Sequence, residues 1–114
     1  MAVSDKHFMD MMLFYQRKLS NSKLDFVIFG HLGDNHLHIN LLPKPDEIKK
    51  AHELYWILVK QVIKWNGTVS AEHGIGKLKK NYFLKMIGDI ALNDLLKIKR
   101  TIDPRNILGI GNLF

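Results

Sequence analysis

The chain has 114 residues, 46% of them hydrophobic, which suits a single globular domain burying roughly 65% of the surface its unfolded chain exposes. It lacks cysteine, so disulfides are excluded and a reducing, cytoplasmic setting is compatible. Seventeen Lys and Arg against eleven Asp and Glu give +6, a balance that favours acidic partners without choosing among nucleic acid, an anionic membrane surface, a protein or a small carboxylate. The longest early apolar run, Met11 to Tyr15, falls far short of the roughly 20 residues of a membrane span, and no signal-peptide pattern precedes it.

Apolar positions Phe8, Met11, Met12, Tyr15 and Leu19 recur at helical spacing and predict a helix over residues 6 to 19, with Ser4 or Asp5 available as cap. After the Ser20-Asn21-Ser22 break, two β-branched and aromatic runs flank Gly33-Asp34-Asn35 and predict a hairpin over residues 25 to 42. Pro43 and Pro45 end it, and Asp46 can cap the next helix. Ile48, Ala51, Tyr55, Leu58, Val62 and Trp65 then predict a long amphipathic helix over residues 47 to 65, closed by Asn66-Gly67 with glycine in the left-handed position. Thr68 to Ser70 reads as a short strand. Helical pattern returns over residues 77 to 86, stops near Gly88, and runs again from 89 to 102, where Asp103-Pro104 ends it. The tail from 106 to 114 is glycine-punctuated and irregular. This order is an α+β pattern, one antiparallel sheet with helices on one face.

The hairpin carries the chemistry. With a two-residue Asp34-Asn35 loop, His31 faces His38 across the strands, and alternation places His36 and Asn40 on the same face. Phe26, Ile28, Leu32, Leu37, Ile39 and Leu41 fall on the opposite, core face. Two opposed histidines supply two of the three protein ligands of an open divalent site, and Glu72 in Ser70-Ala71-Glu72-His73-Gly74-Ile75-Gly76 is a candidate third. Such a set suits Zn²⁺, with Mn²⁺ or Fe²⁺ also accommodated. His31 and His38 read equally well as satisfied or solvent-facing histidines, His36 as a solvated turn residue, and His7 and His52 as structural members of helices.

His73, flanked by Gly74 and Gly76, has the side chain of a general base near neutrality, and glycine permits close substrate approach. The alternative is that the glycines only shape a turn. Gly76-Lys77 is no phosphate loop, because Ala71 and Leu78 break the G-x-x-x-x-G-K-[ST] pattern. The run Lys77, Lys79, Lys80, Lys85 is either a solvated helix face or a surface for an acidic partner.

Three stretches together resemble the C-terminal domain of FAD-linked oxidoreductases, the group of the glycolate oxidase subunit, D-lactate dehydrogenase and D-2-hydroxyglutarate dehydrogenase. They are Gly30 to Asn40 (GHLGDNHLHIN), Gly67 to Lys79 (GTVSAEHGIGKLK) and Lys99 to Leu108 (KRTIDPRNIL). The resemblance implies a ferredoxin-like α+β substrate or cap domain that completes an active site on a separate FAD domain. It also implies metal ligands at His31, His38 and Glu72, a substrate contact at Asn40 and a catalytic base at His73. Many relatives read Gly-Asp-Gly-Asn-Leu-His where this chain has Gly33-Asp34-Asn35-His36-Leu37-His38, and the tail lacks their Asn-Pro-Gly-Lys. No segment resembles the FAD-binding domain, so the flavin is expected on another domain or subunit, with a small 2-hydroxy acid as substrate. The rival readings are a histidine-triad nucleotide hydrolase, opposed by Asn40 at the third histidine position, and a basic RNA-binding module, opposed by the lack of an RNP-like aromatic motif. No nucleic-acid partner is expected.

Overall fold

Helix α1 (Asp5–Ser22) turns Met11, Tyr15 and Leu19, spaced at fours, into the interior, where all three are fully buried. Phe8 is half-buried and Met12 exposed, so the apolar stripe is narrower than its sequence spacing predicts. Ser4 takes the extended N-cap conformation and its carbonyl accepts from the His7 N–H, but its side chain makes no cap. Burial, with Tyr55 as a lesser cause, pushes the Tyr15 hydroxyl far above the usual tyrosine range, so it stays neutral. It donates to the Met1 sulfur at 3.5 Å. The computed structural model describes residues 1–113; Phe114, the last residue of the expected irregular tail, lies outside the described residues.

Strands β1 (Phe26–His31) and β2 (His36–Leu41) pair antiparallel, with Phe26 opposite Leu41, Phe29 opposite His38 and His31 opposite His36. The expected pairing of His31 with His38 is therefore corrected. The loop has four residues rather than two: Leu32–Asp34 form one 3-10 turn and Asn35 closes it in the left-handed conformation, donating its N–H to the Leu32 carbonyl at 3.2 Å. The register moves by an even number of residues, so every strand side chain keeps its face. Leu37 is buried, and Phe26, Ile28, Ile39 and Leu41 are half-buried, as a core face requires. Leu32, assigned to that face by the shorter loop, instead stands 68% exposed in the turn.

The free edge of β2 is covered by the start of the chain. Met1 and Leu37 exchange backbone hydrogen bonds, and Ala2 bridges His36 on one side and Thr68 on the other. The expected strand over residues 68 to 70 shrinks to that one bridge. The Thr68 hydroxyl donates to the Ser70 carbonyl and accepts from the Ser70 N–H, a local turn that competes with further pairing.

Lys44 to Glu47 lead into helix α2 (Ile48–Lys64) through a 3-10 turn in which the Glu47 carboxylate accepts from the Lys44 N–H at 3.0 Å. Glu47, not the expected Asp46, performs this capping. The buried stripe is Ala51, Leu54, Leu58, Val59 and Val62, centred slightly off the sequence reading, since Ile48 is exposed and Tyr55 and Trp65 are half-buried. The helix ends in a Schellman motif, with Asn66 donating to Ile63 and Gly67 to Val62. Asn66, not glycine, takes the left-handed position. Gly67 is required by crowding: a Cβ there would lie 2.5 Å from the Ala2 carbonyl oxygen and 2.7 Å from the Val62 side chain. Each fully buried Leu or Val of this core contributes roughly 1.5–3 kcal/mol.

The chain forms two units, Met1–Ala71 and a second from Glu72 onward. The first holds all the buried apolar residues among those described, from α1, α2, β2 and the segments before, between and after them. In the second, helix α3 (Lys80–Ile102) is interrupted at Gly88, whose φ of 71° and ψ of 177° confirm the expected stop. It begins three residues later than the periodicity predicts, after positive-φ Gly74 and Gly76. No residue of α3 is buried, and Ile90, Ile98 and Ile102 stand exposed. Past the helix end, the buried Asp103 carboxylate accepts from the Ile107 and Leu108 N–H groups at 3.0 and 2.9 Å and from the Lys99 ammonium. Those partners, Lys99 first, hold its pKa down at about 2. With a two-stranded antiparallel sheet and three helices among the described residues, the architecture is α+β, as expected.

Candidate metal and substrate site

Strand alternation presents His31, His36, His38 and Asn40 on one face of the hairpin, together with Val27 and Phe29. Val27 lies opposite Asn40 and Phe29 opposite His38, and both apolar side chains are about half exposed, at 46% and 51%. The sequence reading placed His31 and His38 together and that much holds, although through a cluster rather than a direct pair. The His31 and His38 ring centroids are 6.0 Å apart at 68°, and His31 and His36 are 5.9 Å apart at 21°. His36 and His38 are closest, at 4.3 Å.

His36 is the residue that sequence reasoning missed. Read as a solvated turn residue, it is instead the first residue of β2 and only 4% exposed. His36 opens the second strand under either loop length; the longer loop changes its cross-strand partner from Gly33 to His31, and the Ala2 bridge covers its backbone edge. The signal was present in the alternation of His36, His38 and Asn40, which puts all three on one face, but its place beside the turn favoured a solvated reading.

Phe29 stacks on His38 with centroids 4.8 Å apart and planes 9° from parallel. His38 is thus held between Phe29 and His36, which restricts the directions its ring nitrogens can point. One ring nitrogen from each of His31, His36 and His38 falls within 4.8 Å of the others. Zn–N bonds of about 2.0–2.1 Å in a tetrahedral site set nitrogens about 3.4 Å apart, and neighbouring imidazole nitrogens are the donor type such a site takes. The donor set therefore fits a divalent ion.

Glu72 and His73 open the second unit, with Glu72 Oε2 3.7 Å from His73 Nε2 and both side chains substantially exposed. Gly74 and Gly76 that follow have φ of 60° and 53°, with no atom within 4 Å of where a Cβ would stand. His7 stacks on Trp65 at 5.8 Å and faces Asp10, a packing role, while His52 is exposed on α2. A groove of about 620 Å³ lined by Asp10, Leu13, Phe14, Gln16, Arg17, Ser20 and Trp65 includes no residue of the histidine face. No helix among the described residues is long and apolar enough to cross a membrane.

The sequence matches the family of FAD linked oxidases, C-terminal domain, over residues 1–113. It is 40% identical over 98 residues to a D-2-hydroxyglutarate dehydrogenase of Xanthomonas citri pv. viticola, covering 79% of this chain and 20% of that protein. It is 32% identical over 100 residues to D-lactate dehydrogenase [cytochrome] 1, mitochondrial, of Saccharomyces cerevisiae, covering 87% and 17%. Against glycolate oxidase subunit GlcD of Bacillus subtilis the identity is 30% over 89 residues, covering 75% and 18%. The chain thus spans about a fifth of the length of these relatives. By this match along its described length, the chain belongs to the FAD-linked oxidases, as their C-terminal domain.

Proposed function

We propose that this chain is the substrate- and metal-binding domain of an FAD-dependent 2-hydroxy-acid dehydrogenase of the glycolate or D-lactate type, which oxidises a 2-hydroxy acid to the 2-oxo acid. The observation that carries the reading is the clustering of imidazole nitrogens beside Asn40 on the open face of the hairpin. Family membership and relatives named as 2-hydroxy-acid dehydrogenases support it. His31 and His38, joined by Glu72, would hold a divalent ion, Zn²⁺ in first place. Bound there, the ion would polarise the substrate's hydroxyl and carboxylate oxygens. FAD, held by a separate domain or subunit, would supply the hydride acceptor. Within this chain, His73 takes the hydroxyl proton as the α-hydrogen leaves as hydride, so the substrate loses two electrons and two hydrogens. Asn40 offers its amide to the substrate, and Val27 and Phe29 give that face an apolar border.

The test pairs this chain with its FAD-binding partner and measures turnover and metal content. His73→Asn is expected to lower turnover roughly 10²- to 10⁴-fold while leaving metal bound. Glu72→Gln should deplete the metal. Equal loss of metal in both variants would make His73 a ligand or a structural residue, and wild-type turnover in His73→Asn would remove it from catalysis. The chain alone is expected to show no flavin absorbance and no 2-hydroxy-acid oxidation, and stoichiometric flavin on it would overturn the cofactor assignment.

A further inference from the structure

We infer that His36 is a third imidazole ligand on the hairpin face, and that it biases the site toward Zn²⁺-class ions over Mn²⁺ or Mg²⁺. The inference rests on the reading that this face holds a divalent ion, and extends it to a residue which neither the sequence motif nor the relatives' pattern assigns. The four-residue loop makes His36 the direct cross-strand partner of His31. Its ring also lies 4.3 Å from that of His38, so it touches both other histidines of the face. It is 4% exposed on the side of the sheet that otherwise leaves Val27, Phe29, His31 and Asn40 open. A histidine buried there is oriented by packing rather than by solvent. The Ala2 bridge fixes its backbone, and a ring nitrogen is already within 4.8 Å of one from each neighbour.

Ligand chemistry then decides the ion. Imidazole nitrogen favours zinc, cobalt, nickel and iron, whereas manganese and magnesium favour oxygen donors. Two histidines with a carboxylate leave that choice open; a third imidazole shifts it toward nitrogen-preferring ions, and with Glu72 as the fourth protein ligand a substrate oxygen would enter by expansion beyond four-coordination. The alternative is that His36 only packs against its neighbours. In that case, replacing it would change stability but not the ratio of affinities between ions.

The experiment uses the whole 114-residue chain. Co²⁺ is titrated by visible absorption, Zn²⁺ by competition against Co²⁺, and Mn²⁺ by electron paramagnetic resonance, for wild type, His36→Asn and His38→Ala. Wild type is expected to bind Zn²⁺ and Co²⁺ more tightly than Mn²⁺. His36→Asn should lose at least about tenfold in Zn²⁺ and Co²⁺ affinity, with a smaller loss for Mn²⁺. If His38→Ala abolishes binding while His36→Asn keeps wild-type affinities and ratio, the metal reading stands and this inference is refuted. If wild type binds none of the three ions, the metal reading itself fails. A measurement free of any folding defect is the ¹⁵N shift of the His36 ring in wild type. Ligation moves one ring nitrogen strongly when Zn²⁺ is added, and an unchanged His36 ring beside shifted His31 and His38 rings overturns the proposal.

Discussion

Gly30→Ala should damage the fold and the histidine face together. A Cβ at Gly30 would lie 2.1 Å from the His36 carbonyl oxygen and 3.0 Å from the His36 carbonyl carbon and Leu37 Cα, where ordinary contact begins at 3.4 Å. These are backbone atoms of the facing strand, so no rotamer change relieves the clash, and the strands must part by more than about 1 Å. Overpacking of this kind costs about 1–3 kcal/mol, and a disrupted ladder hydrogen bond adds about 1 kcal/mol, which gives about 2–4 kcal/mol in all. For a chain of this size that is a fall in melting temperature of about 8–15 °C. The displaced carbonyl belongs to His36, so the ring cluster should loosen and Co²⁺ affinity should fall with stability. Gly33→Ala is the matched control: no atom lies within 4 Å of its Cβ position and its φ is not positive, so its effect should stay below about 1 kcal/mol with metal affinity unchanged. Circular-dichroism melts and Co²⁺ titration of both variants decide the matter. Equal melting temperatures for the two, or a Gly30→Ala variant within about 2 °C of wild type, would refute the register on which the site is built.

Leu58→Ala, at a fully buried position of α2, should cost about 2–5 kcal/mol in urea unfolding, and a loss below about 1 kcal/mol would show that the core lies elsewhere. Amide exchange should be slow along α2, which buries five residues, and fast along α3, which buries none; comparable protection in the two helices would contradict this. Asp103 has a folded-state pKa depressed to about 2 from 3.8, so its contribution is fully present above about pH 4, declines as pH falls toward 2, and is lost below that. Asp103→Asn should therefore abolish protection of the Ile107 and Leu108 amides at neutral pH, whereas wild type should lose it only in acid; a neutral-pH variant with full protection would refute the role. Phe29→Ala should weaken Co²⁺ binding by freeing the His38 ring, and Phe29→Tyr should restore it; equal affinity in both would remove Phe29 as a positioning residue.

Helix positions were legible because burial follows a 3.6-residue period: Met11, Tyr15 and Leu19 in α1, and Ala51, Leu58 and Val62 in α2, were all expected to face inward and do. The break at Gly88 was legible for a different reason, since only a residue without Cβ easily adopts its φ of 71°. Two failures were decided by contacts distant in sequence. Thr68 pairs with Ala2, 66 positions away, and nothing in the Thr68 to Ser70 stretch announces that its neighbour is Ala2. The same Ala2 bridge covers the edge of β2 at His36, which local pattern alone left solvated.

The hairpin shows why the candidate site survived an error in its own derivation. Face assignment depends only on parity, whereas cross-strand partners depend on the loop length itself. An Asp34-Asn35 loop and the observed four-residue loop differ by an even register shift, so His31, His38 and Asn40 share a face under either. A three-residue loop would have sent one strand's histidines into the core. The partners are a different matter: the shift exchanges the His31–His38 pair for His31–His36 and brings Phe29 onto His38. The ligand positions implied by resemblance were therefore insensitive to the mistake, while the neighbours that orient those ligands were not. On the proposed reading, those neighbours, His36 and Phe29, are the positions where metal preference and the response to substitution should depart from what motif matching alone would foresee.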